Sequence, residues 1–141
     1  MSSEKVKMKS AWNLTRLFLV AGMIASFGCN SHPETAEVIG CVTINGNPIT
    51  NRQIIFFPDR GKGNKGKTSI GKLNDKGEYY LSTYAPGDGA VVGWHKVIIK
   101  KPAGHENTLP ILDKYADPTC PLLSAEVKAG EENQINFDLQ L

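Results

Sequence analysis

The residues of this chain that could do chemistry are its histidines, a scatter of loop acids, three cysteines and a handful of aromatic rings. His32, His95 and His105 show no spacing that fits a zinc site, and neither Cys41 nor Cys120 has a His or Cys neighbour at ligand distance in sequence. His95, next to Trp94, is the position a general base would occupy. A lone His in an alternating run, however, reads first as a strand residue half covered by its neighbours. Asp75, Asp88, Asp113 and Asp117 offer the hard oxygens that calcium takes, but in no EF-hand or similar spacing. Asp75 and Asp88 stand in glycine-bearing turns, where a carboxylate accepts the backbone N–H groups around it. With no nucleophile–base pair, carboxylate pair or metal cluster, the chain reads as non-enzymatic, with no catalytic residue, metal site or cofactor. Binding chemistry is the live alternative. Trp94, Tyr79, Tyr80, Tyr84 and Tyr115 are rings on which a sugar could stack, although half or more are expected in the core of so small a domain. Trp94, Tyr80 and Tyr84 are the candidate carbohydrate-binding residues.

The first cysteine points elsewhere. Lys5, Lys7, Lys9 and Arg16 precede an apolar run from residue 17 to 28, and Cys29 follows directly after Gly28. Such a run rises about 18 Å as helix, short of a hydrocarbon core of roughly 30 Å. A basic segment, a short apolar segment and a small residue at the cut describe an export signal. A cysteine immediately after the cut resembles a bacterial lipoprotein signal, in which that thiol is acylated and becomes the first residue. Ser26 stands where Leu is usual. The expectation is lipidation at Cys29 and a cell-envelope location on a membrane anchor; an ordinary secretory signal is the other reading. Cys41 and Cys120 are then left as a candidate disulfide in an oxidising compartment, unless Cys41 simply faces out of its strand.

The overall charge of +2 belongs to this signal, whose basic residues outnumber its Glu4. The remainder is close to neutral, with no basic surplus of the kind nucleic acid requires. Arg60, Lys62, Lys65 and Lys67 are locally basic, but Gly61, Gly63 and Gly66 among them read as a solvated loop.

The organisation expected is a signal over 1–28, a polar tether over 29–37 and one domain over 38–141. Alternating and β-branched runs predict strands over Val38–Ile44, 53–57, 67–73, 78–83, Gly93–Lys100, 122–128 and 134–141. Asn45-Gly46-Asn47-Pro48 and Asn74-Asp75-Lys76-Gly77 punctuate them as turns. The stretch from Pro102 to Pro121 reads as a crossover loop with room for one helical turn near Ile111 to Tyr115. Short strands, frequent turns and no helical periodicity after the signal argue for an all-β antiparallel sandwich.

Several of these segments together resemble a known family. Gly40, Val42, Gly46, Pro48 and Ile49 form a Gly-x-Val-x-x-x-Gly-x-Pro-Ile pattern similar to the opening of carboxypeptidase-regulatory-like, transthyretin-like domains. Ile54-Ile55-Phe56-Phe57-Pro58 is similar to their second element, and Asn74-Asp75-Lys76-Gly77-Glu78-Tyr79 to their Asp-x-x-Gly-x-aromatic hairpin. Pro86-Gly87-Asp88-Gly89-Ala90 with Gly93-Trp94-His95-Lys96-Val97 resembles a segment of small lipoproteins abundant in planctomycete bacteria. Tyr115-Ala116-Asp117-Pro118 and Asn136-Phe137-Asp138-Leu139 continue the match, whereas Cys120 stands where Ser or Thr is more usual. The resemblance implies a seven-stranded transthyretin-like (prealbumin-like) sandwich on a lipid anchor, with no established activity. The fold hosts a hydrolase that ends in a Tyr-Arg-Gly-Ser tail; this chain ends Asp138-Leu139-Gln140-Leu141. The role expected is an interaction or structural module of the envelope, with envelope proteins or polysaccharide as partners beside the membrane, or alternatively a carbohydrate-binding module.

Overall fold

The computed structural model describes residues 32–104 and 110–141. The signal, Cys29 and His105 lie outside the described residues. The strands are β1 (Thr35–Ala36), β2 (Val38–Ile44), β3 (Asn47–Pro48), β4 (Gln53–Pro58), β5 (Ser69–Lys72), β6 (Glu78–Tyr80), β7 (Ala90–Val91), β8 (Gly93–Lys100), β9 (Leu123–Val127), β10 (Asn133–Gln134) and β11 (Phe137–Leu139). Two 3-10 turns, Arg60–Lys62 and Pro110–Tyr115, complete the elements. The fold is all-β.

β2 is the axis of one sheet. Its β-branched residues suit a pleated strand, and Asn45 and Gly46, both at positive φ (48° and 80°), turn it tightly into β3. β6 and β3 pair with β2 antiparallel, with Gly40 opposite Tyr79 and Thr43 opposite Pro48. On its other flank β2 pairs with β10 and β11, and both of these run parallel to it. A purely antiparallel arrangement is therefore not what forms. The chain reaches β10 from β9, a strand of the other sheet, and a crossover between sheets is the connection that brings a strand back parallel. The second sheet has the order β5-β4-β8-β9, antiparallel throughout, with β4 and β8 in register from Gln53–Lys100 to Pro58–His95. β1 and β7 form a small separate ladder.

One core serves both main sheets. Val38, Val42, Tyr79 and Leu139 from the first pack with Ile54, Phe56, Val97, Ile99 and Val127 from the second. Phe56 is fully enclosed, and its ring lies 6.4 Å from that of Tyr79 and 6.3 Å from that of Phe137 across the interface. Contacts at these distances favour tilted and edge-on rings, as found here. The arrangement is sandwich-like. The 3-10 turn Pro110–Tyr115 adds the buried Leu112 and Tyr115, and the Tyr115 hydroxyl both donates to the Gln140 carbonyl and accepts the Gln140 N–H, each at 3.0 Å.

Gly40 sets the spacing of the first sheet. A Cβ there would lie 1.8 Å from the Ile135 carbonyl oxygen and 2.9 Å from the Tyr79 ring. Tyr79 lays its ring over this gap and donates from its hydroxyl to Ile135 O at 2.6 Å, so it ties β6 across β2 to the returning chain. The 134–141 run is interrupted at this point: the Cys41 N–H is accepted by the Asn136 side-chain Oδ1 at 2.9 Å instead of by a backbone carbonyl. Of its alternating apolar residues Leu139 is buried and Ile135 and Phe137 pack against the core, but Leu141 is exposed.

Part of the segment expected as a tether, Thr35–Ala36, is a strand. Thr35 and Ala36 pair with Val91 and Ala90, and Ala36 is buried, because the edge of β7 offers this segment a ladder.

Gly40→Val is expected to destabilise the domain by about 3 kcal/mol or more, since the parallel ladder must part to admit the side chain. Gly130→Ala, where a Cβ meets nothing and only positive φ opposes it, should cost about 1 kcal/mol. Thermal unfolding of the two variants beside the parent measures the difference.

Candidate functional site

The edge where β5 and β6 approach carries two clefts. Glu78–Tyr80 alternates, so Tyr79 and Leu81 point into the core and Tyr80 points out, with 64% of its surface exposed. The bridge between Ile70 and Ser82 holds β5 beside the continuation of β6. On one side of Tyr80 lies an open cavity of about 640 Å³ whose polar lining comprises Asn51, Gln53, Lys72, Asn74, Asp75 and Ser82. On the other lies a cavity of about 380 Å³ lined by Cys41, Lys72, Asn74, Glu78, Gln134 and Asn136. Lys72, Asn74 and Tyr80 belong to both.

The wall between the clefts is fixed by its turn. Asn74 Oδ1 accepts the N–H groups of Lys76 and Glu78, both at 2.9 Å, and its Nδ2 donates to Glu78 Oε2 at 3.0 Å. The residue holding this turn is therefore Asn74, not Asp75, with Gly77 at positive φ as expected. A flat aromatic face flanked by amides, one ammonium and carboxylates matches a ligand with apolar faces and many hydroxyls, or an extended polar segment.

The other two candidate rings lie elsewhere. Trp94, half-buried at the start of β8, carries the Lys62 ammonium 3.6 Å from its ring centroid. Tyr84 is half-buried, stacked on His32 at 4.3 Å with 14° between the planes, and Lys67 lies over it at 5.3 Å. Trp94 and Tyr84 are thus capped by cations of one loop, and only Tyr80 borders the clefts. Tyr79 and Tyr115 are core residues.

His95 is more enclosed than a half-covered strand residue. It has no exposed surface, its ring is 5.7 Å from that of Phe56, and Nδ1 meets the Gly93 carbonyl at 3.0 Å. That contact makes Nδ1 the protonated nitrogen and leaves Nε2 a buried lone pair with no partner. Burial holds its pKa below the ordinary value of 6.5, against a smaller opposing effect of the Gly93 carbonyl. A general base needs access to substrate, and this imidazole has none.

Two of the loop acids, Asp88 and Asp117, are occupied by local structure. Asp88 accepts the N–H groups of Thr83, Tyr84 and Ala85 at 2.7 to 3.0 Å. Partial burial pushes its pKa up, but those N–H groups together outweigh it and hold the carboxyl below its usual range. Asp117 accepts the Thr119 hydroxyl and N–H. Among the described residues no three His, Cys, Asp or Glu side chains converge as a metal site.

Cys41 and Cys120 are not joined in the structure. Cys41, on β2, is a half-buried free thiol whose Sγ lies 3.5 Å from the Lys76 carbonyl, and Cys120 is an exposed free thiol. The two belong to different parts of the fold, Cys41 to the β2 sheet and Cys120 to the approach to β9, an edge strand of the other.

Sequence reasoning did not single out Lys72, Asn74 or Gln53. Their signal is only a polar residue at the start of β4 and polar residues alternating with apolar ones along β5 and its turn, which any solvated sheet face shares. Compared with protein-family models, curated proteins and solved structures, the chain matches none.

The buried imidazole gives stability a definite pH dependence. His95 binds a proton in the unfolded chain near pH 6.5 but resists it when folded, so stability is full above that pH. It falls as pH drops from about 6.5 toward the lower folded value, by at most about 1.4 kcal/mol per unit. His95→Asn, which keeps a donor for Gly93, should lose this slope while remaining folded at pH 8. Urea unfolding across the pH range checks both.

Proposed function

We propose that the chain is a non-enzymatic, lipid-anchored module of the cell envelope. Its one domain belongs to the transthyretin-like, carboxypeptidase-regulatory-like type, and it binds envelope partners through the face around Tyr80. The observation that carries the reading is the exposure of Tyr80 between two polar clefts: 64% of a large ring is left in water where burial would stabilise the fold. The enclosure of His95 and the use of Asp88 and Asp117 in turns support a binding role over a catalytic one. The basic segment, the apolar run and Cys29 support the anchor. The transthyretin-like seven-strand reading rests on the order of the quoted motifs, with a sandwich-like core as support.

A second reading, polysaccharide as the ligand, is favoured by the lining of the clefts. Asn51, Gln53, Asn74, Gln134 and Asn136 are uncharged donor–acceptor groups suited to hydroxyls, and Tyr80 supplies the stacking face.

Two measurements test these proposals. Intact mass of protein extracted from membranes should begin at Cys29 with acyl chains attached; a soluble, unacylated product would remove the anchor. Tyr80→Ala should weaken binding to a responsive glycan or envelope protein by about tenfold or more, typical of losing a central aromatic contact, with little change in melting temperature. A glycan panel without any fluorescence shift would remove the polysaccharide reading and leave protein partners.

A further inference from the structure

The loop between β4 and β5 is basic, and it is built rather than loose. Asp59 caps its 3-10 turn by accepting the Gly61 N–H at 3.0 Å. Asn64, almost fully buried, donates to the Trp94 carbonyl at 3.1 Å and accepts the Gly66 N–H at 3.1 Å. Gly66 lies so close to β7 that a Cβ would be 2.4 Å from a Val91 methyl. On this frame Arg60, Lys62, Lys65 and Lys67 are all exposed, and Lys62 and Lys67 sit over the half-buried rings of Trp94 and Tyr84. Cations beside Trp and Tyr on one surface are the composition of a membrane–water interface.

The first described residue lies at the same place. His32 stacks on the Tyr84 ring that Lys67 also covers. Cys29 is three residues earlier, a span of at most about 11 Å of extended chain. That reach is comparable with the Debye length of roughly 8 to 10 Å over which an anionic surface acts.

Resting on the lipid anchor at Cys29, we propose that the loop carrying Arg60, Lys62, Lys65 and Lys67 is a second membrane contact, which lays the domain against the phosphate headgroups of an anionic bilayer. The acids of the region give the contact a direction. Glu34, Glu37, Glu131 and Glu132 line a shallow cavity between β1 and the turn before β10, and β1 is itself paired with β7, on which the basic loop packs. A negative surface attracts the loop and repels these glutamates beside it, so they bound the contact on that side. Asp59 and Asp88 are engaged by backbone N–H groups, and Glu126 stands opposite Trp94 across β8 and β9 as the one further acid paired in register with this surface among the described residues. The domain is thereby oriented on the membrane rather than swinging from its lipid.

The test uses the acylated protein that begins at Cys29, in which Trp94 is the one tryptophan left to report. The protein purified from membranes is placed in nanodiscs of phosphatidylcholine, with or without phosphatidylglycerol, that contain a lipid spin-labelled near its headgroup. Quenching of Trp94 should be strong in the anionic discs and reduced about tenfold or more in Arg60→Glu/Lys65→Glu/Lys67→Glu, which leaves Lys62 on the indole. Equal quenching in neutral and anionic discs, or in parent and triple variant, would overturn the proposal. The intact mass of the same sample separates the failures. An acylated chain with unquenched Trp94 loses only the docking, while an unacylated chain loses the anchor and this inference with it.

Discussion

The close approach of the Ile135 carbonyl to the Cα of Gly40 is the constraint on which the first sheet depends. Any side chain at that position would push the returning C-terminal segment off β2, and with it β10 and β11. The space is closed from the other flank by Tyr79, whose ring covers the glycine and whose hydroxyl reaches Ile135 O. Three segments distant in sequence are thus joined by one missing methyl group and one phenol. Burial pushes the Tyr79 hydroxyl pKa upward, reinforced by Cys41 nearby, so the phenol stays a donor at any physiological pH. The ring also stacks obliquely on Phe56, which carries the same junction into the second sheet. Backbone spacing, sheet topology and core packing meet at this position.

Around that centre the turns are held by short amide and carboxylate side chains rather than by covalent staples. Asn133 is the clearest example. It is buried, its Nδ2 lies within hydrogen-bonding distance of the carbonyls of Glu37, Lys128 and Glu131, and its Oδ1 accepts the Lys128 N–H. A buried amide of this kind is stabilising only because each of its polar atoms is satisfied. Asn64, Asn74, Asp88 and Asp138 act in the same manner in other loops, Asp138 by accepting from Thr43 and the Gly46 N–H. With Cys41 and Cys120 as free thiols, the fold relies on such local closures together with its aromatic core.

The strands were legible because their signal is local. Val38–Ile44 and Gly93–Lys100 appear with the bounds that alternation and turn residues predict, and the outward Tyr80 between inward Tyr79 and Leu81 follows from period two alone. What was not legible depended on partners distant in sequence. The parallel pairing of β10 and β11 is decided by the crossover from β9. The pairing of Thr35–Ala36 requires the exposed edge of β7, and the burial of His95 requires Phe56 from β4. Asn74 and Asp75 are adjacent, equally good turn residues, and only the backbone path decides which carbonyl oxygen meets two N–H groups. At the surface the sequence separated exposed from buried rings incompletely. Trp94 and Tyr84 are claimed by lysines of a loop whose glycines read as slack, while buried Asn64 makes it firm.

The distribution of polar chemistry bears on function. His95 has no exposed surface, and Asp88 and Asp117 hold backbone N–H groups. Facing water are an exposed phenol between amide-lined clefts, a cationic loop over aromatic rings, and a patch of glutamates. A cationic loop and a patch of glutamates on one small, nearly neutral domain respond oppositely to any one-sided electric field. A bilayer is such a field, and a lipid at Cys29 would hold the domain within it. On the proposed anchor, orientation would decide which surface remains open to partners. The proposed binding through Tyr80 would then depend on geometry set at the membrane as much as on the clefts themselves.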